Sequence, residues 1–174
     1  NLLGAALPTQ LMPPSPADNP TGFWESQEIT DIHDELLASV GSSWDDVSPM
    51  AADWHRSITA APFRERIVRI LRRDFDGSAL FVLKDPRMCR LVPFWISVLD
   101  EFGAQPRFVI PVRNPLEVAA SLKARDGFHA QRSQLLWLRH LLEAEAGSRR
   151  FARSFLTFDQ LLGDWRRVAD RLNE

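Results

Sequence analysis

The amino-acid sequence predicts an α/β fold, with a parallel sheet flanked by helices. Three observations lead there. Short apolar runs, "SALFVL", "PRFVIPV" and "RSFLTF", alternate along the chain with longer segments whose apolar residues recur at helical spacing. That alternation is the pattern of parallel sheets covered on both faces. Two of the runs also end abruptly in polar residues, as in "FVLKDPRMC", where Lys84, Asp85, Pro86 and Arg87 follow the apolar stretch. Open α/β sheets keep their ligands at the carboxyl ends of strands. Finally, the 174 residues are 45% hydrophobic and 25% charged, enough for one domain with a real core over 1–174.

The elements follow in order. "NLLGAALP" reads as the tail of a helix, so the chain is expected to be a fragment of a longer protein; "DWRRVADRLNE" stops inside a helical pattern and points the same way. Residues 8–24, with five prolines and Gly22, form a loop. Ile29, Ile32, Leu36, Leu37 and Val40 mark a helix over 27–40. Phe63, Ile67, Ile70, Leu71 and Phe75 mark a second over 62–75, with Pro62 suited to its first turn. A strand over 79–83 follows, then a helix carrying Leu91, Phe94, Trp95, Val98, Leu99 and Phe102. "PRFVIPV" is the next strand. "NPLEVAASLKAR" is a helix with Asn114 as cap, Pro115 in the first turn and Glu117 three residues after the cap. "QRSQLLWLRHLLEAEAG" is a long helix closed by Gly147, "RSFLTF" a third strand, and "DQLLGDWRRVADRL" a last helical segment.

Several function classes lose ground at once. A net charge of −2 gives no general nucleic-acid or membrane-surface binder. No apolar run is long enough for a membrane span, and no signal peptide is visible. The lone Cys89 removes disulfide frameworks and suits a reducing, cytoplasmic setting. His33, His55, His129 and His140 show no metal-ligand spacing, so no metal is expected.

The chemistry concentrates at two strand ends. In "VRNPLEVAAS" a strand ends in Arg113 and a capped helix starts, so free N–H groups, a positive dipole end and a planar guanidinium meet. Ser121 lies seven residues after the cap, close to two turns, and its hydroxyl would face the same anion. The blander alternative is an arginine paired to a carboxylate and a serine on a helix face. For "LKDPR" the alternatives are a functional lysine or a solvated one, with Asp85 and Arg87 read as a local ion pair that fixes the loop. Cys89 and the tryptophans Trp95, Trp137 and Trp165 read as core, and His55 as a structural histidine; Trp24, in a loop beside Glu25, is placed to touch an acceptor.

An arginine at a strand end, N-P next, and a serine eight residues after the arginine resembles the 3′-phosphate site of sulfotransferases that use 3′-phosphoadenosine 5′-phosphosulfate (PAPS). "LKDP" resembles the strand-end lysine motif of tyrosylprotein and related Golgi-type members, and "NPTGFWES" and "FLTFDQLLGDW" resemble segments of bacterial sulfotransferase-like proteins. The resemblance implies a P-loop-type fold incomplete at its first strand, because no G-x-x-R-S-G-T loop for the 5′-phosphosulfate is found. It implies that Arg113 and Ser121 bind the 3′-phosphate and that Lys84 contacts the sulfuryl group in flight. The histidine base of the cytosolic branch has no counterpart, since Pro86 stands at that position. Branches with K-D-P use a glutamate, and Glu25 matches it by location. Flanked by Phe23 and Trp24, it lies in an apolar surround that would favour a proton on it. PAPS is then the co-substrate, with an acceptor hydroxyl or amine on a carbohydrate, small molecule or protein. A P-loop nucleotide kinase and a non-catalytic nucleotide-binding or interaction module are the alternatives. An unpaired sheet edge would favour self-association.

Overall fold

The computed structural model describes residues 4–16, 19, 20 and 22–173. The chain falls into two compact units, Asn1–Gln105 and Pro106–Glu174. Among the described residues, no helix is long and apolar enough to cross a membrane.

The first unit is built on three helices, α1 (Gln27–Ser39), α2 (Ala61–Phe75) and α3 (Met88–Phe102). Each starts and stops for a local reason. Ser26 caps α1 with its side chain, accepting from the Ile29 N–H at 3.4 Å. Pro62 sits in the first turn of α2. Gly103, at φ 87°, ends α3 in the left-handed region and donates back to the Leu99 carbonyl at 2.9 Å. The expected apolar stripes meet in one core of Ile32, Leu36, Leu37, Ile67, Leu71, Leu91, Phe94, Trp95 and Val98. Each is at least nine-tenths shielded from solvent. Ion pairs line the flank of α1 and α2: Glu28 meets Arg73 and Glu35 meets Arg66, so the two helices run antiparallel.

Two expectations for this unit need correction. Residues 79–83 form an extended segment, without a full strand ladder. Among the described residues its one bridge is to Ala6, parallel at Phe81, held by the Ala6 N–H to the Leu80 carbonyl (2.8 Å) and the Val82 N–H to the Ala6 carbonyl (3.2 Å). Period-2 alternation is nonetheless kept: Leu80 and Val82 are exposed, while Phe81 and Leu83 pack on the core and Phe81 stacks on Phe75 at 4.6 Å. The second correction concerns the start. Among the described residues, 4–8 form no helix: Gly4 stands at φ 70° and Ala6 makes the bridge to Phe81; the rest of the expected helix tail, residues 1–3, lies outside the described residues.

The second unit pairs β1 (Arg107–Val112) with β2 (Ala152–Thr157) in parallel, in register from Arg107 opposite Ala152 to Val112 opposite Thr157. The crossover carries α4 (Pro115–Asp126) and α5 (Ala130–Ser148), and α6 (Phe158–Gly163) and α7 (Trp165–Asn173) follow β2. The fold is thus mixed α/β, with a small two-stranded parallel sheet flanked by helices. The faces are less covered than a doubly buried sheet requires, since Val109 and Phe155 are 47% and 46% exposed. Gly147 lies inside α5 and does not close it. The last helical segment is two helices. Asp164, at φ −155°, interrupts it and caps the second through the Arg167 N–H at 3.0 Å.

Candidate functional site

Glu25 is set by the way α1 begins. The loop before the helix is pinned by the Met12 N–H to the Glu25 carbonyl (2.8 Å) and the Gln27 N–H to the Gln10 carbonyl (3.1 Å). Trp24 takes the left-handed region, at φ 63°, a conformation that costs a non-glycine residue about 1–2 kcal/mol. Its ring is left 58% exposed, while Glu25 next to it is buried.

Lys84 arrives from the end of the extended segment. Its Nζ donates to Glu25 Oε1 at 2.5 Å and to the Phe23 carbonyl at 3.3 Å. The two residues that the sequence proposes for catalysis therefore form one ion pair, lopsided in solvation: the lysine side chain is 58% exposed and the glutamate side chain 5%. Glu25 Oε2 is buried and has no hydrogen-bond partner among the described residues. A buried carboxylate oxygen with no donor is costly, and such groups are satisfied by water, a bound ion or ligand, or serve in chemistry.

The turn after Lys84 is held by α1. Asp85 is buried; its Oδ2 accepts from Thr30 Oγ1 at 3.1 Å and lies 2.9 Å from His33 Nδ1. Its Oδ1 accepts from the Arg87 N–H at 2.8 Å and from the Arg87 guanidinium at 3.2 Å. Arg87 in turn grips Asp34, with its Nε 2.5 Å from Oδ1. The local ion pair expected between Asp85 and Arg87 is present, extended by three side chains of α1. Burial alone would push the Asp85 carboxyl up. The His33 hydrogen bond, with the Arg87 N–H and guanidinium, outweighs it and holds the group well below the usual carboxylate range.

Thr30 and His33 are the residues that sequence reasoning missed. They sit on the same buried stripe of α1 as Ile29, Ile32 and Leu36, where a polar residue at a core position was the available signal.

The other strand end behaves differently. Arg113 follows β1 directly, and its Nε donates to Glu117 at 3.0 Å, one turn into α4. Its guanidinium lies over the Phe158 ring at 4.8 Å, so it bridges the ends of both strands of the sheet. Asn114 caps α4 as expected, accepting from the Leu116 N–H at 2.9 Å. Glu117 pairs with Arg113, in the manner of the blander reading. Ser121 is exposed on α4. The two candidate pairs belong to different units: Glu25 and Lys84 to the first, Arg113 and Ser121 to the second.

The remaining candidates settle into structural roles or depart from expectation. His55 is held below its ordinary value, chiefly by burial and then by Arg56, with Asp53 opposing. Trp95 is core, but Trp137 is half-buried, donating to the Arg113 carbonyl at 3.0 Å, and Trp165 is 36% exposed. Cys89 is half-buried. A surface groove lies between α1 and α2, where ion pairs cross it, and neither Glu25 nor Lys84 lines it.

No family model, curated protein or solved structure matches the chain.

Proposed function

We propose that this protein is a sulfotransferase-like enzyme of P-loop type that transfers a sulfuryl group from PAPS to a hydroxyl or amine acceptor. The observation that carries the reading is the Glu25–Lys84 pair. Two residues chosen for separate roles, 59 positions apart, meet at 2.5 Å, with one glutamate oxygen buried and unpartnered among the described residues.

The pair suits the chemistry. An attacking hydroxyl must lose a proton, and the group that leaves gathers negative charge. Lys84 is exposed enough to swing from Glu25 toward that charge. PAPS supplies the sulfuryl group and its leaving phosphate. Arg113 and Ser121 would hold the 3′-phosphate, a role their solvent exposure permits; the Arg113 side chain is 42% exposed and its partner Glu117 50%, so the guanidinium can exchange one anion for another. As in phosphoryl transfer, the protein contributes positioning and charge stabilisation.

Calorimetry tests the reading. The full chain should bind adenosine 3′,5′-bisphosphate more tightly than AMP. Arg113→Ala should weaken the bisphosphate by about 1.5–3 kcal/mol, the worth of a charge-assisted hydrogen bond, and leave AMP unchanged. Equal affinity for both nucleotides in the parent protein would end the assignment.

A further inference from the structure

We infer that His33 is a positioning residue for Lys84: it holds Asp85, and through Asp85 the turn that sets the lysine ammonium on Glu25. His33 is fully buried, and both of its ring nitrogens are engaged. Trp95 Nε1 lies 2.9 Å from His33 Nε2. An indole N–H can only donate, so Nε2 is the bare, accepting nitrogen and the ring proton sits on Nδ1. Nδ1–H then donates to Asp85 Oδ2 at 2.9 Å. The tautomer is thereby fixed by the tryptophan, and a neutral imidazole faces an ionised carboxylate.

The consequence passes to Lys84 through the backbone. Asp85 is the next residue, and the ring on one side and Arg87 on the other clamp it, with Pro86 between them restricting the chain. On the other side of Lys84, Leu83 packs on the core. The lysine thus leaves the backbone from a segment immobilised at both neighbours, although its own side chain is 58% exposed. An apolar residue at 33 would fill the space but leave Asp85 Oδ2 with Thr30 alone among the described side-chain donors. The buried carboxylate would then have reason to turn, and the lysine with it.

This inference rests on the proposed use of the Glu25–Lys84 pair, but its test needs no nucleotide. The chain has two lysines, Lys84 and Lys123, so trace acylation of the native protein with an N-hydroxysuccinimide ester, read by peptide mass spectrometry, gives Lys84 labelling against an internal reference. In His33→Leu, with the fold verified by circular dichroism, the Lys84/Lys123 ratio should rise about fivefold, the factor expected when a partly exposed ion pair is released. His33→Asn, which keeps an N–H near the place of Nδ1, should return the ratio toward that of the parent. An unchanged ratio in folded His33→Leu overturns the inference. Where His33→Leu does not fold, Trp95→Phe removes the indole N–H that fixes the tautomer, together with part of a core ring; with its fold verified by circular dichroism, a raised ratio there supports the inference and an unchanged one overturns it. A raised ratio in a protein that binds adenosine 3′,5′-bisphosphate no better than AMP supports the positioning role and removes only the sulfuryl-transfer reading.

Discussion

Lys84 and Glu25 show how unequal burial divides an ion pair into two kinds of residue. The glutamate is locked in place, while the lysine has water on most of its surface. Removing the lysine leaves a buried carboxylate with no partner on either oxygen among the described residues. Lys84→Met should therefore destabilise by about 1 kcal/mol, at the low end for an orphaned buried acceptor because water reaches the site through the exposed side. Adding Glu25→Gln should recover most of that loss, and urea titrations of the four species in a double-mutant cycle would show it. A loss that persists in the double variant would mean that Lys84 packs and does not pair. Asp85 carries a pH signature instead. Its carboxyl is held lower in the folded chain than the ordinary aspartate value of 3.8, so folding favours the ionised form. That stabilisation is present above the ordinary value and is lost as pH falls through it toward the lower folded value. Asp85→Asn should lower stability at neutral pH and flatten the decline between about pH 4 and pH 2, measured by urea midpoints across that range.

Helices and strands were unequally legible for a physical reason. A helix satisfies its own backbone, so spacing and caps suffice: Ser26, Pro62, Gly103 and Asn114 all punctuate where their chemistry says they should. Gly147 was misread because a glycine inside a helix costs only about 1 kcal/mol, and packing along the rest of α5 outweighs it. A strand needs a neighbour, which lies elsewhere in the chain. Residues 79–83 carry the correct alternation, yet find only Ala6 to pair with among the described residues. The site divides in the same way. Lys84 and Glu25 were legible singly, as a charge after an apolar run and as a carboxylate after a proline-rich loop, matched by location to the glutamate of a resembling family. Their contact, and the hold of His33 on Asp85, span more than 50 residues and leave no local trace. The cap on α4 gives a prediction at this scale. Asn114→Ala should cost about 1 kcal/mol by urea denaturation, and Asn114→Asp should cost little, since it keeps the accepting oxygen.

At the scale of the whole molecule, the two units differ in how much they bury. Among the described residues, the first packs fifteen buried apolar residues into one cluster, all but Trp54 and Ala60 on the three helices. The second rests on two strands whose faces stay partly open at Val109 and Phe155, with Leu135 and Leu142 of α5 more than half exposed. Two strands alone are marginal, and local stability follows buried contacts. Hydrogen exchange should therefore be slowest for peptides over 67–75 and 91–98 and faster for those over 107–112 and 152–157. The same experiment joins the fold to the proposed chemistry. A ligand that binds only the folded form slows opening of the elements that hold it, by about a hundredfold when its concentration is 100 times Kd. Adenosine 3′,5′-bisphosphate should slow exchange over 107–122, where Arg113 leaves β1 and Ser121 lies on α4, and AMP should not. Protection confined to the first unit, or equal for the two nucleotides, would move the 3′-phosphate away from Arg113 and leave its pairing with Glu117 and stacking on Phe158 as a purely structural tie between the strand ends.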